Sequence, residues 1–292
     1  MKKVEILKTY KIYIGGAFPR TESGRYYALL DSNGNTQANV CLCSKKDIRN
    51  AVVAARKAFG GWGERSAFNR SQILYRIAEM LNGRKAQFIE ELTLQGSTQA
   101  QAEAEVSMAI DRIVYYAGWA DKFVQVASSV NPVNSSHFNF STLEPMGVVG
   151  VVAPANSSLI GLVSMVMPVL CGGNTVVGIA SEKLPLCAVT FAEVLHTSDL
   201  PGGTVNILTG KTEEMLPTLA AHMDVNALVS EDLGPLNIPT ALACVDNLKR
   251  KFQCDQDWMS RDAQNLQLIT HFQEVKTTWH PIENIGGSSS SY

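Results

Sequence analysis

The sequence predicts an α/β protein whose centre is a doubly wound, Rossmann-like parallel sheet, accompanied by a smaller set of antiparallel strands. Four continuous apolar runs, separated by segments of helical length, carry this prediction. The runs lie at residues 148–153, 175–179, 204–208 and 225–229. Strands that are apolar throughout are typical of parallel sheets with right-handed crossovers, because helices cover both of their faces.

The N-terminal region is predicted to form short antiparallel strands. Residues 11–15 and 36–42 are rich in β-forming side chains and alternate in polarity. Between them, Asn33-Gly34 is a dipeptide typical of tight hairpin turns.

Helices follow this turn. Ser44 and Asp47 have the spacing of an N-terminal cap, and Gly60-Gly61 is expected to end the first helix. The predicted helices are 48–59, 70–82, a short one around 88–92, and a long one over 102–126. Gly83 is expected to stop or kink the chain after the second helix.

The second half alternates strands and helices. Residues 138–143 alternate strictly, as expected of a half-exposed strand. Helices are predicted at 157–171, 185–196 and 212–221, and further short strands at 241–245 and 274–279. The Gly/Ser run at 286–291 is expected to be disordered.

Composition excludes several classes of protein. The formal net charge is −2, and Lys249-Arg250-Lys251 is the longest basic run, so nucleic-acid binding is not expected. No apolar run is long enough for a membrane span, and no signal peptide is recognisable. The six cysteines fit neither a disulfide framework nor a zinc site, and no metal site is predicted. A reduced, cytoplasmic protein is expected.

Six motifs resemble the aldehyde dehydrogenase superfamily in order and approximate spacing over residues 10–229. They are YIGG at 13–16, DIRNAVVAARKAF at 47–59, EPMGVVG at 144–150, APAN at 153–156, GNTVV at 173–177 and PGGTVNI at 201–207. The RNAV and AFGGW strings and the segment 275–279 are similar to the second, degenerate module of the two-module family 16 aldehyde dehydrogenases.

The resemblance implies an NAD(P)-binding domain, antiparallel oligomerisation strands and a catalytic domain with a cysteine nucleophile. It places the nucleotide-fold domain at residues 1–232, with oligomerisation strands at about 10–43 and 136–144. Residues 233–281 would be a divergent remnant of a missing or truncated catalytic domain. Residues 282–292 would form a disordered tail.

Three residues match functional positions of the family. Asn156 matches the asparagine whose amide helps to bind the oxyanion, and Glu182 matches the acidic residue that holds the adenosine ribose. Gly210 remains from the glycine-rich start of a cofactor-binding helix. The resemblance implies that these positions are vestiges of an oxyanion site and a cofactor site.

Other positions depart from the family. Ile179 stands where the family has a ribose-binding lysine. Thr212 is expected to cap its helix, and two carboxylates follow at 213–214, where they would repel a phosphate. Glu231 and Asp232 replace small residues at the nicotinamide turn, and the segments with the general base and the nucleophile are missing.

Cys254 is the one thiol considered as a nucleophile, and the sequence argues against it. No glycine precedes it, and Asp255 and Asp257 are expected to raise the pKa of its thiol. Cys171 and Cys187 fall on apolar helix faces and are expected in the core. The sequence therefore predicts no catalytic residue.

Three functions follow from these residues. The favoured one is a non-catalytic, aldehyde-dehydrogenase-like module (a pseudoenzyme) that acts in assembly, as a homo-oligomer or with an aldehyde-dehydrogenase-like partner module. The alternatives are an NAD(P)-binding sensor and an NAD(P)-dependent aldehyde oxidoreductase, alone or with an active module in a longer protein. No cofactor is expected, or NAD or NADP bound with low affinity.

Overall fold

The computed structural model describes residues 7–31 and 33–282. The strands are β1 (Thr9–Tyr10), β2 (Tyr26–Leu30), β3 (Thr36–Cys41), β4 (Ser129–Asn131), β5 (His137–Pro145), β6 (Val148–Val152), β7 (Thr175–Ile179), β8 (Val205–Leu208), β9 (Ala227–Ser230), β10 (Arg250–Gln253) and β11 (Gln273–Pro281). The α-helices are α1 (Lys45–Gly63), α2 (Ala67–Gly83), α3 (Lys85–Leu94), α4 (Gln99–Trp119), α5 (Phe123–Ala127), α6 (Ile160–Cys171), α7 (Leu186–His196), α8 (Thr212–Ala221), α9 (Asn237–Val245) and α10 (Gln267–Thr270).

The central sheet has five parallel strands in the order β10-β9-β6-β7-β8. Every residue of β6, β7, β8 and β9 is buried, which confirms the four apolar runs as doubly covered strands. Alternate residues of β6 enter two separate cores: Val149 and Val151 pack with α2, α4, α6 and α7, whereas Val148 and Val152 pack with α1 and α8. The predicted doubly wound architecture is confirmed.

The N-terminal strands form a separate three-stranded sheet in the order β1-β3-β2. The prediction for 36–42 is confirmed by β3, which pairs antiparallel with β2. The prediction for 11–15 is wrong, because this segment crosses the edge of the central sheet and makes only the isolated bridge of Tyr13 to Ile207 there. The short strand before it, β1, is parallel to β3.

A third sheet, in the order β11-β5-β4, is antiparallel throughout. It contains the predicted strands 138–143 and 274–279, as β5 and β11. Residues beyond 232 thus contribute one strand to this sheet and one, β10, to the central sheet. The domain boundary at 232 itself stays a prediction.

The predicted cap of α1 is present, since the Asp47 carboxylate accepts hydrogen bonds from the Ser44 backbone N–H (2.8 Å) and hydroxyl (2.9 Å). The long helix predicted over 102–126 is instead two helices, α4 and α5. The chain turns between them, where the Lys122 N–H donates to the Trp119 carbonyl oxygen at 2.9 Å.

The prediction of a strand at 241–245 is wrong: the segment belongs to helix α9. Its buried residues, Thr240 and Cys244, are four residues apart, which is the spacing of a helix face. The Gly/Ser run at 286–291 lies outside the described residues. None of the helices in the described part of the chain is at once long enough and apolar enough to cross a membrane.

Candidate functional site

The candidate site is a cavity at the carboxyl edge of the central sheet, beyond the ends of β6, β7 and β9. Its volume is about 350 Å³, and its walls include residues 152–155, Glu182, Lys183 and Thr212. Residues 231–233 close the side next to β9. In doubly wound folds, ligands bind in such crevices at the carboxyl ends of strands.

Asn156 lies in the turn after β6, exposed to solvent. The helix that follows, α6, has its first N–H groups satisfied by this chain. One oxygen of the Glu105 carboxylate accepts from the backbone N–H groups of Leu159 and Ile160, both at 3.0 Å. The Ser157 hydroxyl accepts from the Gly161 N–H at 2.8 Å. Little positive potential from this helix end is therefore left for an anionic ligand.

Glu182 lies on the wall of the cavity and contacts the start of α8. Its carboxylate accepts from the Thr212 backbone N–H at 3.3 Å. The expectation that Thr212 caps this helix is wrong: the helix begins at Thr212 itself, and no side chain of the preceding residue caps it. The Glu182 carboxylate, which follows β7, accepts a hydrogen bond at this helix end instead.

The two carboxylates in the first turn of α8 are present, as the sequence indicated. Glu213 is exposed, and Glu214 forms an ion pair with Arg25 at 2.5 Å. Arg25 also donates to the carbonyl oxygen of Cys43. The first turn of α8 thus carries negative charge, and the Arg25 cation beside it is already bound to Glu214 and to backbone.

Gly210, just before α8, has a backbone φ of +140°. A β-carbon there would lie 3.0 Å from the Cys43 backbone nitrogen. The Thr209 hydroxyl donates to the carbonyl oxygen of Cys41 at 2.6 Å. The positive φ and the close approach of residues 42–43, just after β3, therefore favour a glycine at this position.

Ile179 is fully buried within the core at the end of β7. The cavity nevertheless has a cation, because Lys183 lies exposed on its wall. Sequence reasoning missed Lys183 because the family's lysine corresponds to position 179. The signal was present in the sequence, since Lys183 directly follows Glu182 at the same strand end.

The acidic residues that follow β9 are bonded within the chain. The Glu231 carboxylate accepts from the Trp258 indole N–H at 2.5 Å. Asp232 donates its backbone N–H to the Asp255 carboxylate at 2.7 Å and accepts from the Asn237 side chain. Hydrogen bonds from the Gln253 side chain and from this N–H lower the pKa of Asp255. Asp255 is therefore kept ionised next to Asp232, which lies on the cavity wall.

Cys254 directly follows β10, and its backbone N–H donates to the Ser230 carbonyl oxygen at 2.8 Å. The side chain is buried in the core that contains Trp258 and Phe272. Burial first, and then the carboxylates of Asp255 and Glu231, raise the pKa of the thiol to about 11. At neutral pH only about one such thiol in ten thousand is ionised.

The other thiols are equally inaccessible. All six cysteines are buried and none forms a disulfide. Burial raises the pKa of Cys171 to about 12 and raises that of Cys187 well above its usual range. Both lie in the core, as expected. Across residues 7–31 and 33–282, histidines, cysteines and carboxylates form no group of three able to hold a metal ion.

Comparison with known proteins gives the family. The sequence profile of the aldehyde dehydrogenase family matches residues 20–230. Cytosolic 10-formyltetrahydrofolate dehydrogenase of Mus musculus is 32% identical over 78% of this chain and 26% of its own length. Mitochondrial benzaldehyde dehydrogenase of Antirrhinum majus is 34% identical over 82% of this chain and 45% of its own length. The chain belongs to the aldehyde dehydrogenase family.

Solved structures give the same fold. HpcC of Thermus thermophilus superposes with a TM-score of 0.79 at 28% identity, over 83% of this chain and 47% of that one. PnpE, known from Pseudomonas sp. WBC-3 and solved in complex with nicotinamide adenine dinucleotide, gives 0.79 at 26% identity, over 82% of this chain and 50% of that one. This chain spans between a quarter and a half of the relatives' length. The narrower resemblance to the second module of family 16 stays a prediction.

Proposed function

We propose that this chain is a non-catalytic aldehyde-dehydrogenase-like module that acts in assembly, with a second copy or with an aldehyde-dehydrogenase-like partner module. The observation that carries the proposal is the burial of all six thiols. Attack on an aldehyde needs a thiolate that the carbonyl can reach, with donors aimed at the oxyanion. Cys254, with a pKa of about 11, is buried beside two carboxylates and supplies no such group.

The chemistry of the cavity supports the same proposal. Three of its carboxylates, those of Glu182, Glu231 and Asp232, already accept hydrogen bonds from this chain. A dinucleotide would bring a negatively charged pyrophosphate to a rim where carboxylates outnumber the one exposed lysine. We infer that NAD and NADP bind with low affinity or not at all.

The surface proposed for assembly is the small sheet β11-β5-β4. Its strands carry apolar side chains that face solvent, among them Trp279, which is 58% exposed. Val275 and Trp279 lie on one face of the sheet, and Phe138 and Phe140 lie on the other, with ring centroids 5.6 Å apart. A three-stranded sheet with apolar groups exposed on both faces favours further packing partners.

The edge of this sheet also supports assembly. The strand β11 has nine residues, and within the described part of the chain it pairs on one side only, with β5. Its other side presents a row of backbone groups that another strand can bind. We propose that the partner adds there, and we place the assembly in the cytoplasm.

A nucleotide-binding sensor is the second candidate, favoured by the cavity itself. Glu182 and Lys183 lie together on its wall, where a carboxylate could accept from ribose hydroxyls and an ammonium could face a phosphate. The third candidate is an NAD(P)-dependent aldehyde oxidoreductase, alone or with an active module in a longer protein.

Calorimetric titration with NAD⁺ and NADP⁺ separates these candidates. We expect no heat of binding at millimolar nucleotide, and no absorbance change at the nicotinamide band with a panel of aldehydes. Saturable heat without turnover would establish the sensor. Turnover that disappears in Cys254→Ala would establish the oxidoreductase and overturn the proposal.

A further inference from the structure

An open groove of about 490 Å³ lies between the beginning of α1 and the end of α8. It is separate from the cavity at the carboxyl edge of the central sheet, since no residue lines both. We call it the α1–α8 groove. Its walls include Lys45, Arg49, Pro217, Ala221, His222 and Met223.

The side of the groove formed by α8 is apolar. Pro217 and Ala221 are four residues apart in α8, so they lie on one face of this helix, and both are exposed. Met223 follows just beyond the helix and is 65% exposed. Apolar side chains that face solvent along a groove favour contact with an apolar ligand, because the contact removes both surfaces from water.

The side formed by α1 is basic. Lys45 and Arg49 are also four residues apart, and both are exposed. Their neighbour Lys46 is paired with Glu22, whereas Lys45 and Arg49 form no ion pair with the residues that the structure describes. Among those residues, no carboxylate lies on the wall of the groove. The two cations are therefore free to face an anion.

His222 reports the positive potential of this region. Burial lowers its pKa first, and the Asp224 carboxylate opposes this effect. The cations of Lys249, Arg49 and Arg56 lower the pKa further. The Asp224 carboxylate is itself bound by Arg56, whose Nε lies 3.6 Å from Oδ1. A place where three cations disfavour one more positive charge favours a bound anion.

The donors of the groove suit a carboxylate. The Nδ1 atom of His222 accepts from the Asp224 backbone N–H at 3.2 Å, so the neutral ring carries its hydrogen on Nε2 and can donate it. The planar fork of the Arg49 guanidinium matches the two oxygens of a carboxylate. Lys45 adds an ammonium group on the same helix face.

Two features favour an aliphatic carboxylate over other anions. The apolar side of the groove offers no contact to an inorganic anion, whereas it can cover a hydrocarbon chain. An anionic membrane is typically bound by clusters of about four to eight basic residues. The wall here has two exposed cations, Lys45 and Arg49, since Lys249 is buried and donates to the carbonyl oxygen of His222 at 3.0 Å.

We propose that the α1–α8 groove binds an aliphatic carboxylate, with its head group against the cations of α1 and its chain along the apolar residues at the end of α8. This binding site goes beyond the assembly role and does not depend on it. It lies apart from the sheet β11-β5-β4, and its ligand is neither a nucleotide nor a second protein chain.

Titration of the full chain with octanoate, followed by ¹³C NMR of the methionine methyl groups, tests the proposal. Met223 is the reporter, and Met223→Leu, which keeps the groove apolar, identifies its signal. We expect the Met223 signal to shift saturably at millimolar octanoate. Each further methylene in the ligand should tighten binding about twofold to fourfold, because more chain is buried.

Two comparisons isolate the charge. Lys45→Gln should weaken octanoate binding about twofold to fivefold, because it removes an exposed cation beside the head group. Lys57→Gln is the matched control: Lys57 is exposed on the same helix but does not line the groove, so the affinity should hardly change. Octylammonium should bind at least about tenfold more weakly than octanoate, since it brings a positive charge to the cations.

Four outcomes would overturn the proposal. Equal shifts of Met223 with octanoate and octylammonium would show that the apolar residues alone bind the ligand. Equal losses in Lys45→Gln and Lys57→Gln would show that only the net charge matters. Acetate that binds as tightly as octanoate would remove the role of the chain. A response to a glutamate-rich peptide, with none to octanoate, would assign the groove to an acidic protein segment.

Discussion

The carboxyl edge of the central sheet and the outer surfaces of this chain use their side chains in opposite ways. At the carboxyl edge, polar groups are bonded to one another: Glu182 to Thr212, Glu231 to Trp258, and Asp232 to Asn237. On β11 and α9, large apolar groups face solvent. Exposed apolar surface is typical of protein interaction sites, so the difference supports the proposal that this chain binds partners at the outside of its sheets.

The segment around Cys254 and the small sheet β11-β5-β4 also differ in the hydrogen bonds that hold them in place. The wall around Cys254 is fixed by Arg112, a fully buried guanidinium on α4. Arg112 donates to the carbonyl oxygens of Trp258 (3.2 Å), Ser260 (2.9 Å) and Ala263 (3.2 Å), and to the Ser164 hydroxyl (2.6 Å). Within the described residues, no side chain with a comparable set of hydrogen bonds holds the exposed end of the sheet β11-β5-β4. The side-chain hydrogen bonds there run mainly between its own strands.

The largest effect is expected from Arg112→Met. Removing the guanidinium takes its donors away from three buried acceptors, those of Ser164, Trp258 and Ala263, and each such loss costs about 1–3 kcal/mol before relaxation. We expect the free energy of unfolding to fall by about 4 kcal/mol, measured by urea denaturation. Arg76→Met, at an exposed ion pair, is the control and should change it by less than about 0.5 kcal/mol. Equal effects of the two would show that Arg112 does not anchor this wall.

The second largest effect is expected in the alkylation rate of the Cys254 thiol. Because only the thiolate is alkylated and the pKa of this thiol is about 11, it is protonated at neutral pH and its ionised fraction rises with pH. We expect alkylation by iodoacetamide, followed by peptide mass spectrometry, to be more than about a hundredfold slower than for a free cysteine. Its rate should increase up to about pH 10 without a plateau. A plateau near pH 7 would reveal an activated thiol.

A smaller effect is expected when the carboxylates of the cleft are neutralised. Glu231→Gln with Asp232→Asn removes two negative charges near the mouth of the cavity, where each contributes roughly 0.5–1 kcal/mol of repulsion to a bound pyrophosphate. We expect the affinity for NAD⁺ to rise about tenfold, so that a calorimetric heat of binding appears at millimolar nucleotide, where the wild-type protein gives none. Glu213→Gln, on an exposed residue outside the cavity walls, provides the comparison. An equal gain in NAD⁺ affinity in Glu213→Gln would show that the net charge of the protein, and not the carboxylates of the cleft, controls binding.

The smallest effect on the isolated chain is expected from Trp279→Ala. The side chain is mostly solvated in the monomer, so the free energy of unfolding should change by less than about 0.5 kcal/mol. The same change should weaken binding of a partner through β11, because buried aromatic anchors dominate interfaces. Loss of several kcal/mol from the monomer would mean that Trp279 packs within its own chain.

Most of the central sheet could be predicted from the sequence, because β6 and β7 are apolar at every position and buried on both faces. Strand β10 was missed, since Arg250 and Lys251 give it the composition of a surface segment. The prediction at 241–245 failed because a window of five residues cannot distinguish a buried strand from the helix that begins at Asn237.

The candidate site was less predictable, because its groups are paired over long sequence separations. Thr212 has a capping residue's chemistry, yet the acceptor at this helix end is Glu182, thirty residues earlier in the chain. The bond of Glu231 to Trp258 is equally non-local. The rise in the pKa of Cys254 was predicted from neighbouring carboxylates, but burial contributes most to it, and burial becomes visible only in the fold.

Hydrogen exchange in the presence of millimolar NAD⁺ tests the central claim most directly, since it locates binding by residue. If the cleft no longer serves a nucleotide, backbone amides at 153–156, 182–183 and 231–236 will exchange at the same rate with and without NAD⁺. Protection of these three segments together, at nucleotide concentrations found in cells, would contradict the account.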